Sequence, residues 1–273
     1  MLDSTVAYGL TFLFPMADSA VGASLRNHGE FARVELDFLL EMAGGPGVLI
    51  DVGANVGAIG LPFARRRPDW KVIAVEAHRG LSGVLAANAL NNRLYNVELF
   101  HAAAGAERGL VAYPATSLSE ATNFGSIGFK TGDGPMETVR MLTLDEIAPA
   151  DTRLIKIDVE GFESQVLEGA PDLLERREAV WLAEASVQNP EASAEAISVF
   201  QEAGYSVFWF FAPFATPASE KGRPENPARG DANVVALPPG AENVWNLPPV
   251  GSPGEQRPGD ASAYPYMARY GYG

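Results

Sequence analysis

Short, predominantly apolar runs along the middle of the chain alternate with stretches whose apolar residues recur at helical spacing. The runs have the length of strands and lie at residues 48–52, 71–75, 97–100, 154–157 and 180–183. The helical stretches lie at residues 30–42, 58–67, 81–91, 163–168 and 192–203. This alternation predicts an α/β fold with a doubly wound, Rossmann-like sheet that is mostly parallel and has right-handed crossovers.

Two segments depart from this alternation. Residues 205–211 are aromatic and apolar, which predicts a sixth strand, and residues 232–237 could pair with it as an antiparallel last strand. Residues 102–140 are rich in Gly, Ser and Thr and contain only short β-like pieces. We expect an inserted hairpin and loop in this segment.

Three parts of the chain are predicted: an N-terminal extension at residues 1–29, an α/β domain at residues 30–238 and a tail at residues 239–273. Of the 35 tail residues, 12 are Pro or Gly, which is too many for a packed layer. The tail nevertheless holds Trp245 and four tyrosines, and each large aromatic side chain could bury about 150–250 Å². We therefore expect the tail to dock on its own domain or on a neighbouring subunit of a homo-oligomer.

A glycine turn follows the first run of the α/β domain. Asp51 stands near the end of the run, and Gly53, Asn55 and Gly57 follow before a helical stretch. A strand, a tight turn and a helix N-terminus form the arrangement that holds adenosine cofactors in doubly wound folds. Asn55 stands where a dinucleotide fingerprint has its second glycine, which favours S-adenosylmethionine over a dinucleotide. The alternative is that these residues serve only the turn and the helix cap.

Two further positions extend the predicted cofactor site. Glu76 ends the second run, 25 residues after Asp51, and an acid there can accept hydrogen bonds from both ribose hydroxyls. His101 and Ala102 follow the third run, where the adenine would lie. The alternative for His101 is a purely structural role, which is the commoner one for a single histidine.

Acidic residues follow the later strands. Asp158 and Glu160 come directly after the run at 154–157, and Glu184 follows the run at 180–183. Ligands of open α/β sheets bind beyond the carboxyl ends of the strands, so these three acids are the candidate catalytic residues. Enrichment of acids at a helix N-terminus is the alternative for Glu160. Lys156 lies inside a buried strand and therefore needs a partner. A divalent metal held by Asp158 and Glu184 is an alternative that stays open, but no histidine spacing supports a metal site, so none is predicted.

Composition narrows the choice of partners. The chain has 273 residues, a formal net charge of −14 and no cysteine. Disulfides and thiolate metal sites are excluded, and the acidic charge disfavours nucleic acid and anionic membranes as partners. The first residues lack a basic segment, and no apolar run reaches about 18 residues. We therefore expect a cytoplasmic protein.

Five motifs together resemble one known family. They are Asp-Val-Gly-Ala-Asn-Val-Gly at 51–57, Val-Glu-Ala at 75–77, Thr-Leu-Asp-Glu-Ile at 143–147, Lys-Ile-Asp-Val-Glu-Gly-Phe-Glu at 156–163 and Leu-Glu-Gly-Ala at 167–170. These motifs resemble the FkbM family of S-adenosylmethionine-dependent methyltransferases, over roughly residues 29–238. Glu35 and Asn233 resemble parts of the family's entry helix and final strand. The resemblance implies a class I methyltransferase fold and O-methylation, typically of sugar or polyketide-type hydroxyls.

The resemblance also assigns roles by position. The residues that would hold the cofactor are Asp51, Gly53, Asn55, Gly57 and Glu76. Asp158 and Glu160 would lie at the reaction centre. Residues 102–140 and 213–229 match nothing in the family pattern, so we expect them to select the acceptor, a small molecule or glycan with a free hydroxyl. Two alternatives are a methyltransferase-like protein that binds S-adenosylmethionine without catalysis and a nicotinamide-dependent Rossmann enzyme.

Overall fold

Seven strands form the central sheet in the computed structural model, which describes residues 1–129 and 134–272. The strands of the chain are β1 (Leu2–Ala7), β2 (Leu10–Pro15), β3 (Val48–Val52), β4 (Lys71–Glu76), β5 (Val97–His101), β6 (Ala103–Ala104), β7 (Gly109–Pro114), β8 (Met136–Leu142), β9 (Thr152–Ile157), β10 (Val180–Glu184), β11 (Ser206–Pro213) and β12 (Gly230–Leu237). The α-helices are α1 (Val21–His28), α2 (Arg33–Met42), α3 (Gly60–Arg66), α4 (Arg79–Asn91), α5 (Leu144–Ile147), α6 (Glu163–Glu168), α7 (Pro171–Arg176) and α8 (Pro190–Glu202). None of the helices in the described ranges is long and apolar enough to cross a membrane.

The central sheet has the order β11-β12-β10-β9-β3-β4-β5. Strands β3, β4, β5, β9 and β10 pair in parallel, whereas β12 is antiparallel to both of its neighbours, β10 and β11. The predicted fold class, a mostly parallel doubly wound sheet with an antiparallel last strand, is confirmed. The sequence pattern did not reveal that β12 inserts between β10 and β11.

Burial on both faces explains why the central strands are predominantly apolar instead of alternating between apolar and polar residues. All five residues of β3 and of β10 are buried, because helices cover the sheet on both sides. The core continues from these strands into the helices, where Leu36, Leu61 and Phe200 are fully buried. The carboxyl ends of the parallel strands therefore stay open at one rim while the faces are closed.

The segment at residues 102–140 forms a small separate sheet. β7 and β8 pair as an antiparallel hairpin, and β6 pairs in parallel with β8. This agrees with the predicted inserted hairpin. Residues 130–133 of the segment lie outside the described residues.

The N-terminal residues 1–29 form elements that the sequence analysis did not predict. β1 and β2 make an antiparallel hairpin, and α1 follows it. Phe12 and Phe14 of β2 are fully buried in the main core. The amide of Asn88 in α4 fixes β2 from the side, since Leu13 N–H donates to Asn88 Oδ1 at 2.7 Å and Asn88 Nδ2 donates to Leu13 O at 2.9 Å. The hairpin is therefore part of the domain's core.

The tail at residues 239–272 docks on the chain's own domain. Its backbone pairs with the outer edge of β11, where Trp209 N–H donates to Pro248 O at 2.8 Å and Val250 N–H donates to Val207 O at 2.9 Å. Trp245 and Tyr266 are buried. The tail thus covers a sheet edge that would otherwise expose unpaired backbone groups. Docking was predicted from the aromatic residues; Gly273, also in the predicted tail, lies outside the described residues.

Candidate active site

A cavity opens at the rim where the parallel strands end. Seven of the ten residues predicted for the site lie on its wall: Asp51, Gly53, Asn55, Glu76, Ala102, Asp158 and Glu160. They come from the ends of β3, β4, β5 and β9, so the sheet topology brings together residues more than 100 positions apart. The cavity lies where open α/β sheets bind their ligands.

The glycine turn is held against two neighbouring strands. Gly53 N–H and Ala54 N–H both donate to Val75 O, at 2.9 and 3.1 Å. Gly53 has φ +77°, and a Cβ built there would lie 1.8 Å from Asp158 O. No side chain fits at this position, so the turn lies directly against the loop that follows β9. Gly53 is therefore needed both for its backbone conformation and for this close approach.

Glu76 fixes the far side of the turn. Its Oε2 accepts the Asn55 N–H and its Oε1 accepts the His78 N–H, both at 2.7 Å. Burial disfavours the ionised form and raises the pKa of Glu76 to about 7. A carboxylate that already accepts two backbone amides has remaining lone pairs for further donors, and it lies on the cavity wall.

Three predicted site residues do not line the cavity, although all lie in the described part of the chain. His101 has an exposed side chain, because side chains alternate along a strand and Ala102 is the one that faces inward. Gly57 has φ +88°, and a Cβ built there would lie 2.5 Å from the side chain of Leu85 in α4. Gly57 is therefore needed for close packing against α4. Glu184 lies behind the wall, beside Asp158.

Lys156 has the partners that its place in a buried strand requires. Its Nζ donates to Asp158 Oδ2 at 3.0 Å and lies 3.9 Å from Asp51 Oδ1. Burial lowers the pKa of Lys156, but attraction to Asp158, Asp51 and Glu35 outweighs this and raises the pKa well above its usual range. Lys156 therefore remains a cation at neutral pH and is the positive charge between these carboxylates.

The two carboxylate oxygens of Asp51 differ in their hydrogen bonding. Its Oδ2 accepts the Gly60 N–H at 3.1 Å, which anchors the start of α3. Its Oδ1 is buried and has no hydrogen-bond partner within the described residues. An unsatisfied buried carboxylate oxygen on a cavity wall indicates a place for a donor from a ligand.

A polar centre at the rim comprises Asp51, Lys156 and Asp158 together with Glu35, Asn233 and Asp231. Asn233 Nδ2 donates to Glu35 Oε1 at 3.1 Å, so the two residues singled out by the family resemblance are in contact. Burial raises the pKa of Glu35 to about 7. Burial, with Asp158 and Glu35 nearby, also raises the pKa of Asp231, which lies on the cavity wall. Nothing in the spacing of Asp231 along the sequence indicated this position.

Aromatic side chains form the remaining wall of the cavity. Tyr113, Phe124 and Phe129 come from the segment at residues 102–140, Phe214 directly follows β11, and Phe31 comes from the turn before α2. The segments at 102–140 and 213–229 were expected to select the acceptor, but no sequence pattern identified these aromatic side chains. The polar centre is therefore enclosed by residues from three separate segments of the chain.

Comparison with protein families shows the family to which the chain belongs. The model of the methyltransferase FkbM domain matches residues 51–207, more than half of the chain. The chain belongs to the FkbM methyltransferase family. No curated protein matches the sequence.

Solved structures with a similar arrangement are distant in sequence. Precorrin-6y C5,15-methyltransferase from Geobacter metallireducens GS-15 is 14% identical, with a TM-score of 0.47 over 76% of this chain and 87% of that chain. Methyltransferase FkbM from Methylobacillus flagellatus KT is 15% identical, with a TM-score of 0.45 over 72% of this chain and 45% of that chain. TYW2 from M. jannaschii, solved in complex with AdoMet, is 13% identical, with a TM-score of 0.43 over 86% of this chain and 84% of that chain.

Membership of the FkbM family makes this protein an S-adenosylmethionine-dependent methyltransferase, and the residues at the rim fit that cofactor. The backbone at Gly53 leaves no room for a side chain, the buried Asp51 Oδ1 lacks a donor, and Glu76 lies on the same wall. The cofactor's ammonium and ribose hydroxyls are donors of the kind these acceptors require. Within residues 1–129 and 134–272, several carboxylates surround Lys156, and this surplus of negative charge also favours a ligand with a cationic sulfur.

Proposed function

We propose that this FkbM-family protein transfers a methyl group from S-adenosylmethionine to a hydroxyl of a sugar, glycan or natural-product acceptor. The observation that carries the proposal is that the glycine turn and the carboxylates Asp158 and Glu160 share one cavity. Gly53 and Asp158 are in direct contact across that cavity wall. A group bound at the turn would therefore present its reactive end to the acids.

Within this proposal Asp158 is the base that accepts the hydroxyl proton. When bound, S-adenosylmethionine supplies a methyl carbon that the acceptor oxygen attacks while the carbon–sulfur bond breaks and its electron pair stays on sulfur. Lys156 holds the Asp158 carboxylate in place through the 3.0 Å hydrogen bond. General base catalysis of this kind is worth about 10²–10⁴ in rate, and alignment of the reacting groups supplies much of the rest.

The aromatic wall supports an acceptor with a ring. Phe124, Phe129 and Phe214 offer apolar surface, while Glu160 and Asp231 offer hydrogen-bond acceptors nearby. A cavity that combines apolar walls with a few polar groups suits a polyhydroxylated ring better than a charged polymer. The net charge of −14 also argues against nucleic acid as the acceptor.

Labelled methyl transfer tests this function. The full-length protein is incubated with methyl-labelled S-adenosylmethionine and two pools of acceptors, one of hydroxyl compounds and glycans and one of amines, and the products are identified by mass spectrometry. We expect the label in an ether. Label only in amines would contradict O-methylation, and binding of the cofactor without any product would support a protein that has lost catalysis.

Replacement of the proposed base refines the test. Asp158→Asn keeps the shape of the side chain and removes its charge, so turnover should fall by about 10²–10⁴ while cofactor affinity changes much less. Glu175→Gln, an exposed residue of α7, is the matched control and should leave both quantities unchanged. Equal losses of turnover and affinity in Asp158→Asn would make Asp158 a binding residue only.

A further inference from the structure

Three carboxylates meet at one point of the rim. Asp158 and Glu160 lie in the loop after β9, and Glu184 is the last residue of β10. One oxygen from each lies within 4.8 Å of those from the other two. The strand register produces this arrangement, because Ala183 pairs in parallel with Ile157 and places Glu184 beside Asp158. Three acids at this distance repel one another when ionised, so the cluster favours a cation.

Glu184 is the buried member of the cluster, and one of its carboxylate oxygens is unpaired among the described residues. Its side chain is 7% exposed, and its Oε2 has no hydrogen-bond partner within residues 1–129 and 134–272. Lys156, the nearby cation, pairs instead with Asp158 and Asp51. No ion pair to Glu184 forms within the described part of the chain. A buried carboxylate without a partner is costly, so its retention next to two other acids points to a ligand.

We propose that Asp158, Glu160 and Glu184 bind one divalent cation of the class that prefers oxygen ligands, such as Mg²⁺ or Mn²⁺. Carboxylate oxygens that share such a cation at about 2.0–2.6 Å are at most about 4–5 Å apart, which matches the geometry of the cluster. All three ligands are carboxylates, a set that suits these cations better than zinc.

The position of this site relates it to the acceptor. Asp158 and Glu160 also line the active-site cavity, so a cation held between them and Glu184 would lie beside that cavity. An acceptor hydroxyl bound to the cation would be more acidic, because the cation stabilises the negative charge that develops on the oxygen. This role rests on the proposed O-methylation, whereas binding of the cation itself does not.

Direct measurement of cation binding tests the proposal. Full-length protein is treated with EDTA, dialysed and titrated with MnCl₂ while free Mn²⁺ is followed by electron paramagnetic resonance; MgCl₂ is titrated by calorimetry. We expect one Mn²⁺ per chain. Glu184→Gln should weaken Mn²⁺ binding at least tenfold, while Glu175→Gln, an exposed residue of the equally acidic surface, should bind as the wild type does.

The outcomes separate this proposal from the proposed function. Absence of stoichiometric Mn²⁺ and Mg²⁺ binding by the wild type, or unchanged affinity in Glu184→Gln, would overturn the cation site whether or not methyl transfer occurs. If circular dichroism shows Glu184→Gln to be unfolded, Glu160→Gln takes its place in the comparison. If the protein binds one Mn²⁺ per chain but EDTA does not slow methyl transfer to a hydroxyl, the cation site stands. Only the role of the cation in binding the acceptor would then be overturned.

Discussion

The carbonyl oxygen of Asp158 lies so close to Gly53 that a Cβ at residue 53 would be 1.8 Å from it. The contact joins the cofactor turn to the proposed base. Asp158 N–H also donates to Val52 O at 3.1 Å, so the loop after β9 and the turn after β3 form one unit. We therefore expect the position of the cofactor to depend on the absence of a side chain at residue 53.

Gly53→Ala tests this dependence. The alanine would have to keep φ +77° and would push the Asp158 carbonyl away, which should cost about 1–3 kcal/mol of unfolding free energy. S-adenosylmethionine affinity should fall more than tenfold, as measured by calorimetry. Gly83→Ala is the control, because Gly83 lies in α4 with open space around it. That substitution should stabilise the protein by about 0.5–1 kcal/mol; equal behaviour of the two variants would contradict the prediction.

Cofactor affinity should depend on pH through Glu76. Burial raises the pKa of Glu76 to about 7, so this side chain is ionised at pH 8 and protonated at pH 6. The ionised form has more acceptor capacity for ribose hydroxyls, so affinity should fall, by up to about tenfold per pH unit, as the pH drops below 7. Calorimetry between pH 6 and 8 measures this change.

Two substitutions of Glu76 distinguish the effect of its charge from the effect of its hydrogen bonds. Glu76→Gln should flatten the pH dependence of affinity, because the titrating group is removed. Glu76→Ala should weaken binding by about 1–3 kcal/mol at pH 8, since the Asn55 and His78 amides also lose their acceptor. The exposed Glu175→Gln serves as control at every pH. A wild-type affinity that stays constant from pH 6 to 8 would remove Glu76 from the ribose site.

Glu35 should make the protein less stable as the pH rises. Its pKa is raised by burial to about 7 from 4.5, with Asp158 and Asp51 adding to the rise and Lys156 and Asn233 opposing it. The folded state therefore holds a proton that the unfolded state releases between pH 4.5 and 7. Stability from this group is complete below pH 4.5 and is lost as the pH rises through 7, by roughly 3 kcal/mol at most.

The variant Glu35→Gln isolates this contribution. Its amide oxygen can still accept from Asn233, but it has no proton to lose, so the variant should gain stability over the wild type on going from pH 5 to pH 8. Urea denaturation at both pH values measures the difference in unfolding free energy. Because Glu76, Glu184 and Asp231 titrate in both proteins, only the difference between them is diagnostic. A difference independent of pH would show that Glu35 does not titrate in this range.

The sequence predicted the parts of the fold that depend on local pattern. The run at 48–52 matched β3 to the residue because both faces of that strand are buried, whereas the helix expected from residue 58 begins at Gly60, after the last residues of the glycine turn. The N-terminal hairpin was missed although Leu10, Phe12 and Phe14 alternate with less buried residues. The insertion of β12 between β10 and β11 depends on contacts between distant strands, which no local pattern records.

In the candidate site, too, local sequence pattern predicted some residues and could not predict those that depend on contacts between distant parts of the chain. The motif residues Gly53, Asn55 and Glu76 could be placed because each lies at the carboxyl end of a strand whose direction was predicted. Glu35 and Asp231 could not be given a role from spacing, because they lie 121 and 75 positions from Lys156 and meet it only in the folded protein. His101 and Ala102 were both expected after the third strand as cofactor contacts; His101 is instead the last residue of β5, and of the two only Ala102 lines the cavity.

Tyr266 should carry much of the tail's contribution to stability. Its ring stacks on Phe210 with centroids 5.2 Å apart, and its hydroxyl donates to Phe211 O at 3.0 Å and accepts the Phe211 N–H at 2.7 Å. Tyr266→Phe keeps the ring and removes the hydroxyl, which leaves the buried backbone of Phe211 without partners. We expect a loss of about 1–3 kcal/mol of unfolding free energy by urea denaturation.

The control for this prediction is Tyr95→Phe, because Tyr95 is 81% exposed and should change stability by less than about 0.5 kcal/mol. Deletion of residues 251–273 should lower the melting temperature further, since Tyr264 and Tyr270 are lost with Tyr266. Cofactor affinity should remain, because the cavity walls are contributed by residues upstream of the tail. Light scattering on the same deletion tests whether the tail also joins copies of the chain. A truncated protein that melts as the full chain does would contradict the role of the tail in stability.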